Sequence, residues 1–275
     1  MSRPAFEILQ RGRSLVFRFL TPLDAALRRL QGRQSLPPLW LRRHTGPLRN
    51  YLAAARDTRD TLERENLIGP THCVLDVGCG TGVMAAEFAS LLGTAGRYIG
   101  FDVHRSSIRW CRRAFASDAR FEFHEAVIAS PYGRGRSAPA TTYRFPAPDH
   151  TVDLVLAKSV FTHLLPPAAL HYLTEIRRTL RPGGTAMITV FLFAPASRTG
   201  RGESPWFSLG GTASVVRWRW RARPEAAVAY EMQHFTEMAH QARLEIVKFL
   251  PGFWPGEAGQ PQGQDVLLLR HSPSS

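Results

Sequence analysis

Asp76, Gly78, Gly80 and Gly82 stand inside the run VLDVGCGTG (residues 74–82), where a hydrophobic stretch breaks into glycines spaced two apart. Such a turn lets a ligand approach the backbone closely, because glycine takes positive φ and carries no side chain. A dinucleotide site wants G-x-G-x-x-G with its pyrophosphate on a helix N-terminus. Here Val83 occupies the place of the third glycine. Asp76, two residues before the first glycine, matches a pyrophosphate poorly and a cationic ligand well. Asp102 closes the run YIGFD, twenty residues after Gly82. A strand-end acid there accepts hydrogen bonds from both ribose hydroxyls. Dinucleotide enzymes use that acid too, so Asp76 is the residue that discriminates.

The elements that must carry these residues alternate from residue 73 onward. Strand patterns cover 73–77, 97–102, 120–125, 152–157 and 185–193. Helical spacing links Met84, Phe88 and Leu91, then Ile108, Cys111 and Phe115, then Ala169, Leu173, Ile176 and Leu180. The run Arg181-Pro182-Gly183-Gly184 stops the last helix. Alternation of this kind predicts an α/β domain, a doubly wound parallel sheet with helices on both faces. A further helix opens at Pro224 and runs to about Gln241. Strands at 243–250 and 264–270 are joined too closely for a parallel crossover and read as an antiparallel hairpin. Residues 129–148 read as a long loop insertion and residues 194–223 as a substrate lid.

The chain has 275 residues, 44% of them hydrophobic, and a formal net charge of +13. Its basic residues are nearly all arginine, Lys158 and Lys248 being the only lysines. Cys73, Cys79 and Cys111 form no C-x-x-C pair, which argues against a disulfide framework or a zinc site and for a reducing, cytoplasmic setting. Arg11, Arg13 and Arg18 interrupt any signal-peptide core. Residues 1–50 hold ten arginines against two acids, and Val16, Phe19, Leu20, Leu23, Leu27 and Leu30 recur at helical spacing. This basic amphipathic segment precedes a main domain over 51–275. The preferred reading is a helix packed on that domain as a cap over the cofactor, because core-facing helices share the pattern. Peripheral contact with a membrane surface is the alternative.

The sequence resembles the class I S-adenosylmethionine-dependent methyltransferases, through VLDVGCGTG, YIGFD, VDLVLAKSVFTHL (152–164) and LRPGGTAMITV (180–190), in that order. The resemblance covers roughly residues 70–193. It implies a Rossmann-like seven-stranded sheet, parallel except for the last strand, and S-adenosyl-L-methionine as cofactor. By the same resemblance Asp76, Gly78, Cys79, Gly80 and Gly82 line the methionine end and the ribose, with Cys79 a small neighbour in the turn. Asp102 holds the ribose, and Glu125 is the acid nearest the adenine. Ala126-Val127 follow where many members place an acid, a departure from the family pattern. Lys158 and Ser159, ending the fourth strand, contact cofactor largely through the backbone. Gly183, Gly184 and Asp153 read as structural.

The acceptor is narrowed by what is missing. Ala157-Lys158-Ser159-Val160 replaces the N/D-P-P-aromatic motif of enzymes that methylate base nitrogens, and no cysteine beyond Cys111 can serve a cytosine-C5 mechanism. Lys158 at the fourth strand's end argues against a metal. The expectation is metal-independent methyl transfer to a small molecule, at oxygen. His163, just after the fourth strand, is the candidate general base, having a suitable intrinsic pKa; a pocket wall or a loop fixture is the alternative. His234, on the later helix, is a weaker candidate and His171 weaker still, while His124 lies on a strand and reads either way. In VRWRWR (216–221) alternation puts Trp218 and Trp220 on one face and arginines on the other, which suits a lid contacting the acceptor, or a strand packed on the domain. Interleaved Arg and Trp with the basic N-terminus also suit RNA or protein methylation, a rival reading, and a non-catalytic cofactor-binding subunit is a third.

Overall fold

The computed structural model describes residues 17, 19–30, 36–42, 51–129, 138–194, 207, 215–220, 222–252, 254 and 263–272. Two short helices come first, α1 (Thr21–Leu30) and α2 (Leu39–Arg42), followed by α3 (Ala53–Arg64). The alternating core is β1 (Cys73–Val77), α4 (Val83–Leu91), β2 (Arg97–Asp102), α5 (Arg105–Ala114), β3 (Phe121–Glu125), β4 (Val152–Ala157), α6 (Pro166–Thr179) and β5 (Leu180–Val190). Then come β6 (Leu192–Phe193), β7 (Val216–Trp218), β8 (Val228–Glu231), α7 (Met232–Gln241), β9 (Leu244–Leu250) and β10 (Asp265–His271).

The main sheet has the order β3-β2-β1-β4-β5-β10-β9. Its strands are parallel apart from β10, which runs antiparallel between β5 and β9. Strand alternation sends neighbouring side chains to opposite faces. Val74, Leu154 and Leu156 thus join α4 and α5 in one core, while Leu75, Val77 and Val155 join α6 and α7 in the other. The strand order reverses between β1 and β4, and open α/β sheets place their ligand crevice at the carboxyl ends of strands beside that switch.

Three boundaries differ from the sequence reading. The helix expected from Pro224 starts only at Met232; Pro224–Ala226 is one 3₁₀ turn. Val228–Glu231 is a strand because it pairs with β6 on one side and β7 on the other, so tertiary pairing overrides the helical reading. The fifth strand divides, β6 leaving the main sheet to found a three-stranded sheet in the order β6-β8-β7. Most of 194–223 and residues 130–137 lie outside the described residues, so the lid and the tip of the first insertion do too. The end of that insertion is irregular chain that packs into the core: Phe145 is buried, and its N–H donates to Glu175 Oε2 at 2.7 Å.

The N-terminal expectation is also corrected. No residue of α1 is buried, so its apolar face does not cap the domain. The chain that covers the glycine turn is α3 and the residues just before it.

Asp265 ties the second sheet to the first. Fully buried at the start of β10, it accepts the Leu192 N–H at 2.9 Å, the Gly252 N–H at 2.8 Å and the Trp254 indole N–H at 2.6 Å. Asp265→Ala strands these buried donors, and we expect it to lower the unfolding free energy by about 3 kcal/mol. Urea denaturation checks this; a change under about 1 kcal/mol would show the donors re-satisfied by neighbours.

Candidate functional site: a glycine turn between buried carboxylates

The turn after β1 folds back across β2. The N–H groups of Gly78 and Cys79 both donate to the Phe101 carbonyl, at 2.9 and 3.0 Å. Gly78 and Gly82 have φ of +71° and +75°, and Gly80 has +54°. A Cβ on Gly78 would sit 2.7 Å from Val160, and one on Gly82 would sit 3.0 Å from the Cys111 sulfur. The glycines are therefore required by conformation and by space together. Cys111, on α5, packs beneath the turn. Cys79 is buried, and burial pushes its thiol far up, which leaves it un-ionised and unsuited to nucleophilic chemistry.

Two carboxylates flank the turn. Asp102 accepts the Gly80 N–H at 2.9 Å and the His104 N–H at 2.7 Å. Burial raises its pKa against those two bonds. Asp76 is buried, and the Tyr98 hydroxyl donates to it at 2.5 Å. Burial lifts its pKa to about 7, opposed by the Tyr98 hydrogen bond and the Lys158 charge, while Asp102 adds to the rise. Such a carboxylate is half-neutral near pH 7 and gains from any cation brought beside it. Glu125 ends β3 directly opposite Asp102 in register, with the Arg105 guanidinium at 3.5 Å.

The opposite wall comes from β4 and α3. Lys158 turns its ammonium toward α3 and donates to the Thr58 hydroxyl at 2.6 Å and to the Ala54 carbonyl. Burial drops its pKa to about 8, with Asp57 and Asp76 opposing. Tyr51 shares a hydrogen bond of 2.8 Å with Thr81 in the middle of the glycine turn. Ser159 has φ of +57°, a left-handed backbone that is rare outside glycine and gathers at functional sites. Its N–H donates to Thr189 Oγ1 at 2.7 Å and its hydroxyl to Gln264 Oε1 at 3.1 Å, tying together the ends of β4, β5 and β10.

His163 lies in the 3₁₀ turn Phe161–His163. Its Nδ1 is 2.9 Å from the Glu225 carbonyl, which can only accept, so Nδ1 carries the proton. Burial lowers the imidazole's pKa against bonds to the Glu225 and Ala226 backbone. The Tyr230 hydroxyl, donating to the Leu164 carbonyl, clamps the other side of this turn. His234 is half-buried on α7, its Nε2 without a hydrogen-bond partner among the described residues. His171 bonds the Tyr143 carbonyl at 2.8 Å, a structural role.

Trp218 is half-buried against the main core, whereas Trp220 lies beyond the end of β7 and is exposed. The alternation therefore breaks after three residues. The Arg217 guanidinium sits 4.0 Å from the Phe193 ring and that of Arg219 sits 4.5 Å from the Trp220 ring. Sequence reasoning missed Tyr51, Tyr98 and the aromatic group of Phe191, Phe207 and Trp254, whose ring centroids are 5.0–5.4 Å apart beyond the end of β5. Tyr98 stands in the strand run YIGFD, and the others are aromatics scattered in segments without periodicity.

Residues 74–184 match the family described as a methyltransferase domain. That stretch is a class I methyltransferase domain. The chain is 32% identical to the probable methyltransferase ltbC of Aspergillus luteorubrus, over 49% of this chain and 47% of that protein. It is also 32% identical to the ubiquinone/menaquinone biosynthesis C-methyltransferase UbiE of Hydrogenovibrio crunogenus, over 45% of this chain and 44% of that one. The chain thus matches a little under half the length of these relatives. The methyltransferase domain shares its fold with the 1,6-didemethyltoxoflavin-N1-methyltransferase of Burkholderia thailandensis, solved with S-adenosylhomocysteine (TM-score 0.52, 19% identity, 80% of this chain and 79% of that one).

S-adenosylmethionine is the cofactor of this domain, and the residues fit it: a turn of left-handed glycines with no side chain over its backbone, a strand-end acid at Asp102, and the under-neutralised Asp76 for a cation. Asp76 carries a signed test. Its folded pKa lies above the ordinary 3.8, so the folded state holds the extra proton and stability falls as pH rises from about 4 to 7. At pH 8 Asp76→Asn should raise the melting temperature of the ligand-free protein by a few degrees, because the amide keeps the Tyr98 bond without a buried charge. The same variant should weaken S-adenosylhomocysteine binding at least about tenfold and remove the gain in affinity between pH 6 and 7.5. Calorimetry at the two pH values checks both arms; unchanged affinity would take Asp76 out of the binding site.

Proposed function

We propose that this chain transfers a methyl group from S-adenosylmethionine to a hydroxyl oxygen of a small apolar molecule, with His163 as the base. Bound S-adenosylmethionine supplies an electrophilic methyl on a sulfonium, and transfer is an in-line displacement. The chain's own residues must then align the acceptor oxygen and take its proton. The observation that carries the reading is the state of His163. Its Nδ1–H is donated to the Glu225 carbonyl, so Nε2 is the basic nitrogen, and burial keeps the ring neutral at pH 7. The turn holding it is clamped by Tyr230 and follows directly on the left-handed Ser159. A hydroxyl proton leaving as the methyl arrives is transferred to Nε2, and the ether product carries no net charge.

An apolar acceptor is supported by the surroundings. Val160 overhangs Gly78, and Phe191, Phe207 and Trp254 cluster beyond the end of β5, on the side of the sheet's carboxyl ends. Two of the related proteins are named for small-molecule chemistry, one in ubiquinone/menaquinone biosynthesis and one on 1,6-didemethyltoxoflavin. Their names specify carbon and nitrogen, so the choice of oxygen rests on His163 alone. The RNA rival is not favoured, since Arg217 and Arg219 are engaged with aromatic rings of this chain.

The test begins with a panel of phenols, hydroxyquinones and alkyl alcohols, read by release of S-adenosylhomocysteine. With the best acceptor, His163→Ala should lower kcat by about 10²–10⁴-fold and leave S-adenosylhomocysteine affinity unchanged. The wild-type kcat should be flat from pH 7 upward, because the lowered pKa has already made the ring neutral. A loss of only a few-fold would make His163 a fixture of the turn, and alignment the main source of rate.

A further inference from the structure

Helix α1 is mounted with its polar face toward the body of the protein. Asp24 receives the Arg28 guanidinium at 2.9 Å, the Leu39 N–H at 3.1 Å and the Arg42 guanidinium. Arg28 also donates to the Leu36 carbonyl at 2.8 Å. These bonds hold the Asp24 side of α1 against α2. The apolar side is left outward: Leu20, Leu23, Leu27 and Leu30 are 41%, 59%, 47% and 85% exposed, and Phe19 is 83% exposed. Their spacing of three, four and three residues makes one stripe along the helix. A surface helix of a globular domain does the reverse, burying its apolar stripe and showing water its charges. Contiguous exposed apolar surface of this kind marks a binding face.

Charge decides what the face binds. Residues 1–50 carry ten arginines against Glu7 and Asp24, and Asp24 is taken up by Arg28 and Arg42. Arg29 on α1 is exposed. A second copy of the chain would set one arginine-rich segment against another. A surface with apolar depth beneath a negative layer satisfies both the stripe and the arginines. We propose that α1 docks in the plane of an anionic lipid bilayer, its leucines and Phe19 among the acyl chains, Arg29 at the headgroups, and the positive charge of residues 1–50 favouring the negative surface. This surface is separate from the glycine turn and does not depend on the acceptor assigned above.

The full-length protein is mixed with phosphatidylglycerol vesicles and with phosphatidylcholine vesicles, and binding is read by co-sedimentation. Binding is expected on the anionic vesicles, at least tenfold weaker on the neutral ones, and reduced by salt. The double variant Leu23→Glu, Leu27→Glu should lose at least tenfold in vesicle affinity while its melting temperature and S-adenosylhomocysteine affinity stay as in the wild type, since both side chains are exposed in the fold. No binding to anionic vesicles, or equal salt-insensitive binding to both lipids, overturns the proposal. So does self-association in analytical ultracentrifugation that the double variant abolishes while vesicle binding is absent, which assigns the stripe to a second copy.

Discussion

Everything at the ligand end of this fold depends on holding two carboxylates out of water at the carboxyl ends of β1 and β2. Asp76 and Asp102 are brought together by parallel register, which sets Asp76 against Gly100 and Val77 against Phe101. Burial disfavours both charges. Asp102 is offset by two backbone N–H groups, one of them from the glycine turn itself, so the conformation of the turn and the charge of Asp102 support each other. Asp76 has a tyrosine hydroxyl and the field of a lysine, and its pKa still rises to about 7. A cationic ligand supplies the missing neutralisation. A buried carboxylate left so under-neutralised lowers the stability of the folded state at neutral pH, and a cation bound beside it would recover that cost.

Lys158 connects this electrostatic centre to its roof. A lysine at the end of β4 could have pointed to solvent, but its ammonium is donated to Thr58 and the Ala54 carbonyl in α3. The same helix segment brings Tyr51 to Thr81. One buried cation thus stabilises the ionised form of Asp76 and fixes the element above the glycine turn, and its own pKa falls toward 8 as a result of that burial. Ser159 next in sequence takes a left-handed backbone, because its N–H and hydroxyl are bound by Thr189 and Gln264 from two other strands. Strain at one residue is held by contacts that are distant in sequence.

The sheet was legible from local pattern. Strands 73–77, 97–102 and 152–157 show in the sequence because each is a short apolar run bounded by turn residues, and the glycine spacing with Asp76 and Asp102 is a local signature. What escaped depends on pairing and on non-local contact. Val228–Glu231 follows Pro224 and looks like the first turns of a helix; only β6 and β7 on either side make it a strand. Tyr98 reads as a strand aromatic, and nothing local says that its hydroxyl reaches Asp76. The amphipathic pattern at Leu20–Leu30 shows that one face is apolar but carries no information on which way that face points. The direction is set by Asp24 meeting Leu39 and Arg42, fifteen and eighteen residues away.

That orientation has a mechanical corollary. α2 faces α5 across a cleft lined by Pro38, Trp40 and Leu41 on one side and Arg109, Trp110 and Arg113 on the other. α5 presents Cys111 on its other side, beneath Gly80 and Gly82, with the thiol 3.6 Å from the Gly80 carbonyl. Between the outward helix and the cofactor turn thus stand α2 and α5, with a cleft separating those two helices. That cleft is free volume between α2 and α5, so a displacement of α1 and α2 can be absorbed before it reaches the turn. Contact of this kind establishes geometry, and energetic coupling between the two ends would require a second arrangement of the stack that ligand or surface prefers. With one arrangement in the structure, docking as proposed above would bring the methyltransferase domain to a surface without switching it.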